Sequence, residues 1–522
     1  MLPLLFVTQT NYKVGLTDSK YDIVIIGSGL GGLCSAYIMS KEGYKVCVLE
    51  KNRQLGGSLQ IFSRDKVIFD TGIHYIGGLS EGQNLNRYFK YFNLMDKLKL
   101  KQMDKDGFDI VTFRGDPNEY KHAQGYGNFI NTLSAQFPGE RANLERYCNK
   151  MKEICSFFPL YNLEEGTKDL FTATFLETDT KAYIESVTSN KKLQNVLAGT
   201  NPLYAGEPNK TPLYVHALVV NTYIESAWKC IDGGAQIAKH LSDSIKEMGG
   251  EIYNYCEAAK FNFSGHEIKS VELTDGRKIE GKTFISNCDL SKTMDMIEPG
   301  HIRQAYRHRI QSLENTPSSF ILYIVLKKET IPYFNHNKYH YDIDDVWDAI
   351  NYDENTWPKG FALFPQSSTK NPAYTESLIV MGYMNYKEMQ EWSDVVNIIP
   401  NKVNERGENY EEFKERKCQL LFKTLFAHMP ELKGNIESYY SSTPLTYRDY
   451  IGSRDGTMYG IAKDYRDPLK TFISPKTKVP NLLLTGQNLN LHGVLGVTVS
   501  SVVTCSEILG QQYLIKKIKE YS

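Results

Sequence analysis

The chain has 522 residues, of which 41% are hydrophobic and 23% charged, a mixture typical of globular proteins with a large core. Its length predicts two or three domains, or two interleaved ones. The formal net charge of -1 and the absence of long single-sign runs argue against a nucleic-acid partner. Nine cysteines lie scattered without C-x-x-C or zinc spacing, so we predict reduced thiols, no metal site and a cytoplasmic protein.

The first residues, MLPLLFVTQTNYK, lack the basic start and the cleavage site of a signal peptide, and we interpret residues 1–19 as an N-terminal extension. The best candidate for a membrane span, residues 494–510, is rich in Ser and Thr and contains Glu507. It is too short and too polar to cross a bilayer, so we predict a buried helix.

Residues 21–52 have the pattern of a β-α-β unit. A buried strand over residues 23–26 is followed by a glycine turn, a helix that ends at Gly43, and a second alternating strand. Gly27, Gly29 and Gly32 stand in G-x-G-x-x-G register at the first turn. They allow a tight turn, close approach of a pyrophosphate and packing of helix on strand, while the helix start offers N–H groups to phosphates.

Glu50 ends the second strand, about 20 residues after the turn, where an acid can bond a ribose hydroxyl. The strand, the helix and the acid together favour dinucleotide binding over a purely structural glycine turn. Gly56 and Gly57 extend the motif to E-x(5)-GG, which resembles the fingerprint of one large class of flavoproteins. We therefore predict FAD rather than NAD.

Residues 69–78, FDTGIHYIGG, place His74 and Tyr75 on a glycine-broken bend. Further along, a helix that starts near Ile237 and a hairpin whose last strand ends at Ser286 read as a second piece of the cofactor domain. SFILYIVL, GFALF and LIVMGYM read as strands, and YEEFKERKCQLLFKTLFAHM as an amphipathic helix. These segments predict an antiparallel sheet backed by helices.

The segment HNKYHYDIDD brings four potential metal ligands close together, which are His336, His340, Asp342 and Asp345. It follows a proline and shows no helical stripe, so we interpret it as a solvated loop rather than a metal site. The C-terminal segment, residues 479–510, predicts a strand, a glycine turn and a closing helix. No second G-x-G-x-x-G occurs, so the electron donor or acceptor is expected to bind transiently and its identity is open.

The stretch from GSGLGG to FDTGIHYIGG resembles the phytoene desaturase, carotenoid isomerase and retinol saturase family, and its last part is most similar to the retinol saturases. FDIVTF, FPGE, TPLTYRDYIGSRDGTMYG and LLLTGQN support this resemblance. It covers nearly the whole chain but is thin over residues 152–215 and 326–439, the stretches that would line a substrate pocket.

The resemblance implies an α/β protein. A Rossmann-like FAD-binding domain of the glutathione-reductase and amine-oxidase kind would be interleaved with an α+β substrate domain that contains an antiparallel sheet. We predict the FAD-binding domain over residues 20–115, 230–300 and 475–522, and the substrate domain over residues 116–229 and 301–474.

The cofactor contacts that the resemblance and the motif imply are Gly27, Ser28, Gly29, Gly31, Gly32, Glu50, Lys51, Gly56, Gly57, Ser58, Gly72, His74, Ala258, Gly486, Asn488, Val494 and Leu495. Asn488 departs from the family, where Asp is frequent. The N-terminus of the closing helix would point at the flavin ring, and its partial positive charge would stabilise an anionic reduced flavin. His74 and Tyr75 would lie beside the ring as candidate catalytic residues, the alternative being a core histidine and a packing tyrosine.

The predicted activity is reduction of a double bond in a long apolar polyene or isoprenoid lipid by hydride transfer from FAD. Desaturation, redox-neutral polyene isomerisation and amine oxidation remain open on the same fold. A non-catalytic prenyl-lipid carrier of the Rab escort kind is the alternative from a different class. A lipophilic substrate also predicts peripheral contact with a membrane surface, and the oligomeric state is open.

Overall fold

A computed structural model of the protein describes residues 20–165, 174–396 and 406–521, so the predicted extension over residues 1–19 lies outside the described residues. The strands are β1 (Lys20–Ile26), β2 (Val46–Leu49), β3 (Ile61–Arg64), β4 (Val67–Asp70), β5 (Ile76–Gly77), β6 (Leu100–Gln102), β7 (Asp109–Phe113), β8 (Tyr120–His122), β9 (Ala227–Cys230), β10 (Glu251–Tyr253), β11 (Ala258–Ser264), β12 (Glu267–Leu273), β13 (Lys278–Ser286), β14 (Ser318–Leu326), β15 (Asn337–Tyr341), β16 (Gly360–Pro365), β17 (Ser377–Met384), β18 (Ile436–Ser442) and β19 (Leu482–Leu484).

The α-helices are α1 (Leu30–Lys41), α2 (Asn84–Tyr91), α3 (Tyr126–Gln136), α4 (Arg141–Ser156), α5 (Pro159–Asn162), α6 (Thr180–Val187), α7 (Lys191–Leu197), α8 (Leu213–Glu225), α9 (Ala235–Glu247), α10 (Leu290–Asp295), α11 (Gln304–Gln311), α12 (Glu408–His428), α13 (Pro444–Thr446), α14 (Gly493–Leu509) and α15 (Gln511–Lys519). The predicted β-α-β unit, the hairpin and the closing helix are all present.

The first sheet is built around the β-α-β unit. Its strand order is β10-β2-β1-β13-β12-β11, and β19 pairs with the end of β13. The pairs that β10, β2, β1, β13 and β19 form among themselves are parallel, so the carboxyl ends of these five strands share one edge. Both α9 and α14 contact α1, which is why α1 is buried almost throughout. An open sheet of this kind binds ligands at its carboxyl edge.

The second sheet has the order β18-β14-β17-β16-β15-β7-β8 and is antiparallel except for the pair β15–β7. Side chains of β14 alternate between two cores, as a strand covered on both faces requires. Phe320, Leu322 and Ile324 pack with α12, whereas Ile321 and Tyr323 pack with the larger core. The predicted antiparallel sheet with a helix behind it is confirmed.

Strand β7 departs from the predicted organisation. It falls in the first predicted cofactor segment, residues 20–115, yet it pairs with β8 and β15 in the second sheet. Asp109 of β7 and Asn337 of β15 are 228 residues apart in the chain. No local pattern encodes so distant a pairing, and the division into domains otherwise stays a prediction.

The predicted solvated loop at HNKYHYDIDD is also wrong. Its first half forms β15, which is enclosed between β16 and β7 and is almost entirely buried. His340 bonds Thr112 and Asp342 there. Within the described parts of the chain, no group of His, Cys, Asp and Glu side chains is arranged to hold a metal ion. In the same parts, none of the helices combines the length and the apolar character that a membrane span needs.

Candidate active site

One large cavity, of about 550 Å³, lies between the carboxyl edge of the first sheet and one face of the second. Gly27, Asn287 and Gly486, which follow β1, β13 and β19, line it on the first side. Phe364 of β16 and Met381 of β17 line it on the other. The cavity therefore connects the predicted nucleotide site to the predicted substrate sheet.

The glycine motif forms part of the cavity wall. Gly27 has a φ of +94°, in the left-handed region that glycine adopts without steric cost, and turns the chain from β1 towards α1. A Cβ atom at Gly29 or Gly31 would lie within 2.7 Å of the Asn287 side chain. Gly32 does not line the cavity but packs α1 against the turn after β1, as its predicted packing role requires.

Ser28 faces away from the cavity, although the sequence placed it among the cofactor contacts. Its hydroxyl donates to Glu50 Oε2 at 2.6 Å and accepts from the Gly56 N–H at 3.2 Å. The Glu50 carboxylate also accepts from the N–H groups of Ser28 and Asn52. A carboxylate offers about four acceptor sites, so one stays open for a ribose hydroxyl. Ser28 turns inward because its hydroxyl donates a hydrogen bond to this buried carboxylate. The same hydroxyl accepts from Gly56 and so connects the first glycine turn to the second glycine pair.

The second glycine pair continues the wall. Gly56 and Gly57 both have positive φ, of +111° and +58°, and Gly56 forms a parallel bridge with Gly29. Ser58 and Gly72 follow along the same wall, and a Cβ at Gly72 would lie 2.9 Å from the Ser58 carbonyl oxygen. Apart from Ser28 and Gly32, the predicted residues of both glycine stretches therefore lie on one surface.

The C-terminal segment returns to this surface. After β19 the chain turns at Gly486, with a φ of +103°, and the first turn of α14 places Val494 and Leu495 on the cavity wall. Asn488 also lines the cavity, and its Oδ1 accepts from the N–H of Ile461 at 2.9 Å. The amide at position 488 therefore has a structural partner in addition to its predicted role.

Charged side chains lie close together in one region of the cavity. Ala258, Lys51 and Glu50, which the sequence named as cofactor contacts, all line the cavity. Lys51 Nζ donates to the backbone carbonyl of Asp449 at 2.8 Å. Burial lowers the pKa of Lys51, and the nearby charge of Lys292 lowers it further. Lys292 lines the same cavity, and so do the carboxyl groups of Glu50, Glu257, Asp289 and Asp295, so charged groups of both signs are present there.

His74 lies on the cavity wall, and its ring stacks on that of Phe364 with centroids 4.4 Å apart. Burial, together with the charge of Lys229, lowers the pKa of His74 to about 4. The imidazole is therefore neutral near pH 7. His74 is placed where the sequence predicted it, as a neutral hydrogen-bonding group rather than a cationic acid.

Tyr75 lines the cavity next to His74 and belongs to a buried network. Its hydroxyl donates to Asp109 Oδ2 at 2.7 Å and lies 2.8 Å from the Tyr339 hydroxyl. Burial raises the pKa of both tyrosines well above 10, and it raises the pKa of Asp109 to about 7. The Tyr75 ring also packs on Tyr223, with centroids 4.4 Å apart.

Sequence reasoning missed several residues of the wall, namely Tyr223, Asn287, Lys292, Tyr339, Phe364, Tyr459 and His492. Asn287 had a usable signal, because it directly follows the predicted strand end at Ser286 and ligands bind at the carboxyl edge of such sheets. Tyr339 and Phe364 lie in the stretch where the family resemblance is thin. Their position depends on how the second sheet pairs, which no local pattern shows.

Three polar atoms on the cavity wall are suited to hydrogen bonds with a ligand that contains a polar ring. His74 Nδ1, Thr485 Oγ1 and His492 Nε2 are buried there without a hydrogen-bond partner among the described residues. Each such group costs about 1–3 kcal/mol while unpaired, so a ligand that bonds them is favoured. A flavin ring and its ribityl chain carry suitable donors and acceptors, which makes the residues present compatible with a flavin dinucleotide.

Comparisons with known proteins agree with this geometry. Residues 25–92 match the family model of the NAD(P)-binding Rossmann-like domain. The chain is 26% identical to all-trans-retinol 13,14-reductase of Homo sapiens, over 96% of this chain and 88% of that protein. It is 22% identical to the chloroplastic prolycopene isomerase of Arabidopsis thaliana, over 96% and 84%. These similarities agree with the resemblance to the retinol saturase and carotenoid isomerase family that the sequence motifs carry.

The fold of the chain is also found among solved structures. Putrescine oxidase bound to putrescine superposes with a TM-score of 0.64 at 12% identity, over 94% of this chain and 99% of that one. This likeness confirms the predicted fold class. The comparisons together identify an oxidoreductase with a Rossmann-like domain and support a flavin-type cofactor.

Proposed function

We propose that this protein is an FAD-dependent reductase that saturates a carbon–carbon double bond of a long apolar polyene or isoprenoid lipid. The observation that carries the proposal is a cavity whose lining combines the glycine wall with several aromatic rings. The rings of Tyr75, Tyr223, Tyr339, Phe364 and Tyr459 line this cavity, and so does Met381. Such a surface favours a flat conjugated substrate held beside the cofactor.

FAD is favoured over NAD by two features of the wall. The Gly56–Gly57 pair is joined to Glu50 through Ser28, as the extended flavoprotein motif implies. The first turn of α14 lines the cavity with Val494 and Leu495, where the helix N-terminus favours negative charge. When bound, FAD would supply hydride chemistry to the double bond. The chain's own residues would orient the substrate and exclude water from the reacting atoms.

A second candidate is cis–trans isomerisation of a polyene without net redox change. The observation that favours it is the similarity to prolycopene isomerase over 96% of this chain. The two candidates differ in the fate of the electrons, because a reductase consumes the reduced cofactor and an isomerase does not.

The deciding experiment is anaerobic. The purified protein is first examined for the visible absorption of a bound flavin, whose absence would contradict the proposal and favour a non-catalytic lipid carrier. The flavin is then reduced chemically, and all-trans-retinol or a carotenoid is added. Return of the oxidised flavin band with loss of polyene absorbance supports the reductase. A shifted polyene spectrum over flavin that stays reduced supports the isomerase.

If neither spectrum changes, the proposed substrates are wrong, and oxidised protein with a saturated analogue then tests the desaturation direction. The electron donor is proposed to be transient. Each candidate donor is added to the oxidised protein with the polyene present, and only a true donor sustains more than one turnover.

We also propose that the protein is cytoplasmic and makes peripheral contact with a membrane, because a long apolar lipid resides there. Flotation with liposomes loaded with the polyene tests this contact. Recovery of the protein in the lipid fraction supports it, and exclusive recovery in the aqueous fraction contradicts it.

A further inference from the structure

A buried hydrogen-bonded chain leads from Asp109 to the cavity. Asp109 is fully buried in β7, and its Oδ2 accepts from the Tyr75 hydroxyl at 2.7 Å. The Tyr75 oxygen in turn lies 2.8 Å from the Tyr339 hydroxyl. Both tyrosines line the cavity, whereas Asp109 does not. Tyr75 is thus the group that connects the carboxyl group to the substrate side.

We propose that Asp109 supplies the proton for the reduction and delivers it through Tyr75, with Tyr339 as the hydrogen-bond partner of Tyr75. This inference rests on the proposed function, because saturation of a double bond requires a proton as well as a hydride. Tyr75 would touch the substrate and is the catalytic residue of the pair. Asp109 acts through Tyr75 and is a positioning residue. It carries the proton that replaces the one Tyr75 gives to the substrate.

Protonation of Asp109 determines where the Tyr75 proton points. A hydroxyl has one proton, and an ionised carboxylate can only accept, so ionised Asp109 holds the Tyr75 proton away from the cavity. Protonated Asp109 instead donates to the Tyr75 oxygen. The Tyr75 proton is then free to point towards Tyr339 or the substrate. The pair is therefore competent as a proton donor only when Asp109 carries a proton.

The surroundings keep that proton available near neutral pH. Burial raises the pKa of Asp109 to about 7, although the bonds from Tyr75 and Asn337 and the charge of Lys229 act in the opposite direction. Asn337 donates to Asp109 Oδ1 at 2.9 Å, so both carboxyl oxygens are held. Lys229 is itself buried and donates to the Pro365 carbonyl at 3.0 Å. The titratable groups that face Asp109 from the neighbouring elements are Tyr75, His122, Tyr223, Lys229 and Tyr339.

The proposed step conserves atoms, protons and electrons. The π bond of the substrate breaks, one carbon receives the hydride from the reduced flavin of the proposed function, and the other receives the Tyr75 proton. Tyr75 takes the Asp109 proton in the same event and is again a neutral phenol. Asp109 is left as a carboxylate and must regain a proton before the next turnover.

The first test needs neither substrate nor turnover. Infrared difference spectra across a pH titration follow protonated carboxyl groups in the wild type, Asp109→Asn, Tyr75→Phe and Asp70→Asn. Asp70 is the matched control, because burial also raises its pKa to about 7 while its partner is the Gly234 N–H and it does not line the cavity.

Asp109→Asn should remove one carboxyl signal that titrates near pH 7, and Asp70→Asn should remove a different one. Tyr75→Phe should move only the Asp109 signal to higher pH, since it deletes a bond that stabilises the carboxylate. A spectrum unchanged by Asp109→Asn, or an Asp109 signal unmoved by Tyr75→Phe, would overturn the inference.

The second test measures single-turnover polyene reduction against pH. The wild-type rate should fall as the pH rises through about 7. Asp109→Asn should lose that pH dependence and react about tenfold more slowly than the wild type. Tyr75→Phe should lose more of the rate, about 100-fold. Asp70→Asn should match the wild type. Equal rates and equal pH profiles for Asp109→Asn and the wild type would overturn the inference while the proposed function stands. A wild type that reduces no polyene would instead refute the proposed function, and the inference with it.

Discussion

A Cβ atom at Gly32 would lie 2.0 Å from the carbonyl oxygen of Gly27. The two residues belong to the same motif, one in α1 and the other in the turn before it. Their contact is therefore a packing constraint on the β-α-β unit, separate from any contact with a cofactor. It allows the motif to be tested by stability as well as by binding.

Gly32→Ala should destabilise the protein by about 1–3 kcal/mol, because a backbone oxygen cannot move aside as a flexible side chain would. Gly127→Ala is the matched control. Gly127 also lies in a helix, α3, but nothing is within 4 Å of its added Cβ. That change should instead stabilise by about 0.5–1 kcal/mol, since alanine favours the helix. The midpoints of thermal unfolding of the two variants and the wild type measure these changes. A Gly32→Ala variant as stable as the wild type would contradict the close packing of Gly32 on Gly27.

Glu50→Gln should weaken FAD binding by about tenfold or more, because hydrogen bonds to a charged group contribute roughly 1.5–3 kcal/mol. The carboxylate accepts from Ser28 and Asn52 at the cavity wall, and an amide cannot accept all of these bonds. Titration of the flavin-free protein with FAD measures the change. Glu247→Gln, at the exposed end of α9, serves as the control and should bind like the wild type. Equal affinity for Glu50→Gln would refute the ribose role.

His74→Ala should retain FAD but slow single-turnover reduction about tenfold, because it removes a polar group from the wall beside the reacting atoms. The control is His301→Ala. His301 also stacks on a phenylalanine, Phe263, with centroids 3.6 Å apart, but it lies outside the cavity. Rapid mixing of reduced protein with polyene gives both rates. If His74→Ala reacts as fast as the wild type, His74 is only a packing residue.

His216 should make stability depend on pH. Burial, with a smaller contribution from His122, lowers the pKa of His216 to about 3, whereas the unfolded chain titrates near 6.5. Its contribution to stability is complete above pH 6.5 and is lost as the pH falls towards 3. In that window the wild type should lose up to about 1.4 kcal/mol per pH unit relative to His216→Gln.

The stability of both proteins is measured by chemical unfolding at a series of pH values. Glutamine can still bond Tyr147 and Tyr204, the two partners of the His216 ring, so the variant should fold. If the free energies of unfolding of the wild type and His216→Gln change in parallel between pH 6.5 and 3, His216 becomes charged in the folded protein as it does in the unfolded chain, and the prediction is wrong.

Most of the nucleotide end was predictable from the sequence because its signals are local. A glycine at a turn, the spacing of apolar residues and an acid at the end of a strand are all recognisable within a segment of a few tens of residues. Gly27, Glu50, Gly56 and Gly486 were accordingly placed on the wall that the structure shows. Ser28 was misplaced because its direction depends on which group its hydroxyl bonds, and the motif does not show that this group is the Glu50 carboxylate.

The arrangement around Tyr75, where we propose proton transfer, was decided by tertiary structure. Asp109 and Tyr339 come together only because β7 and β15 pair in parallel across more than 200 residues, and HNKYHYDIDD becomes a buried strand for the same reason. Strand pairing joins backbone groups that any sequence carries, so it leaves no local pattern in the residues that it brings together. The sequence by itself therefore determined the Rossmann-like unit and its glycine wall. Only the folded chain determined which buried acid lies behind Tyr75.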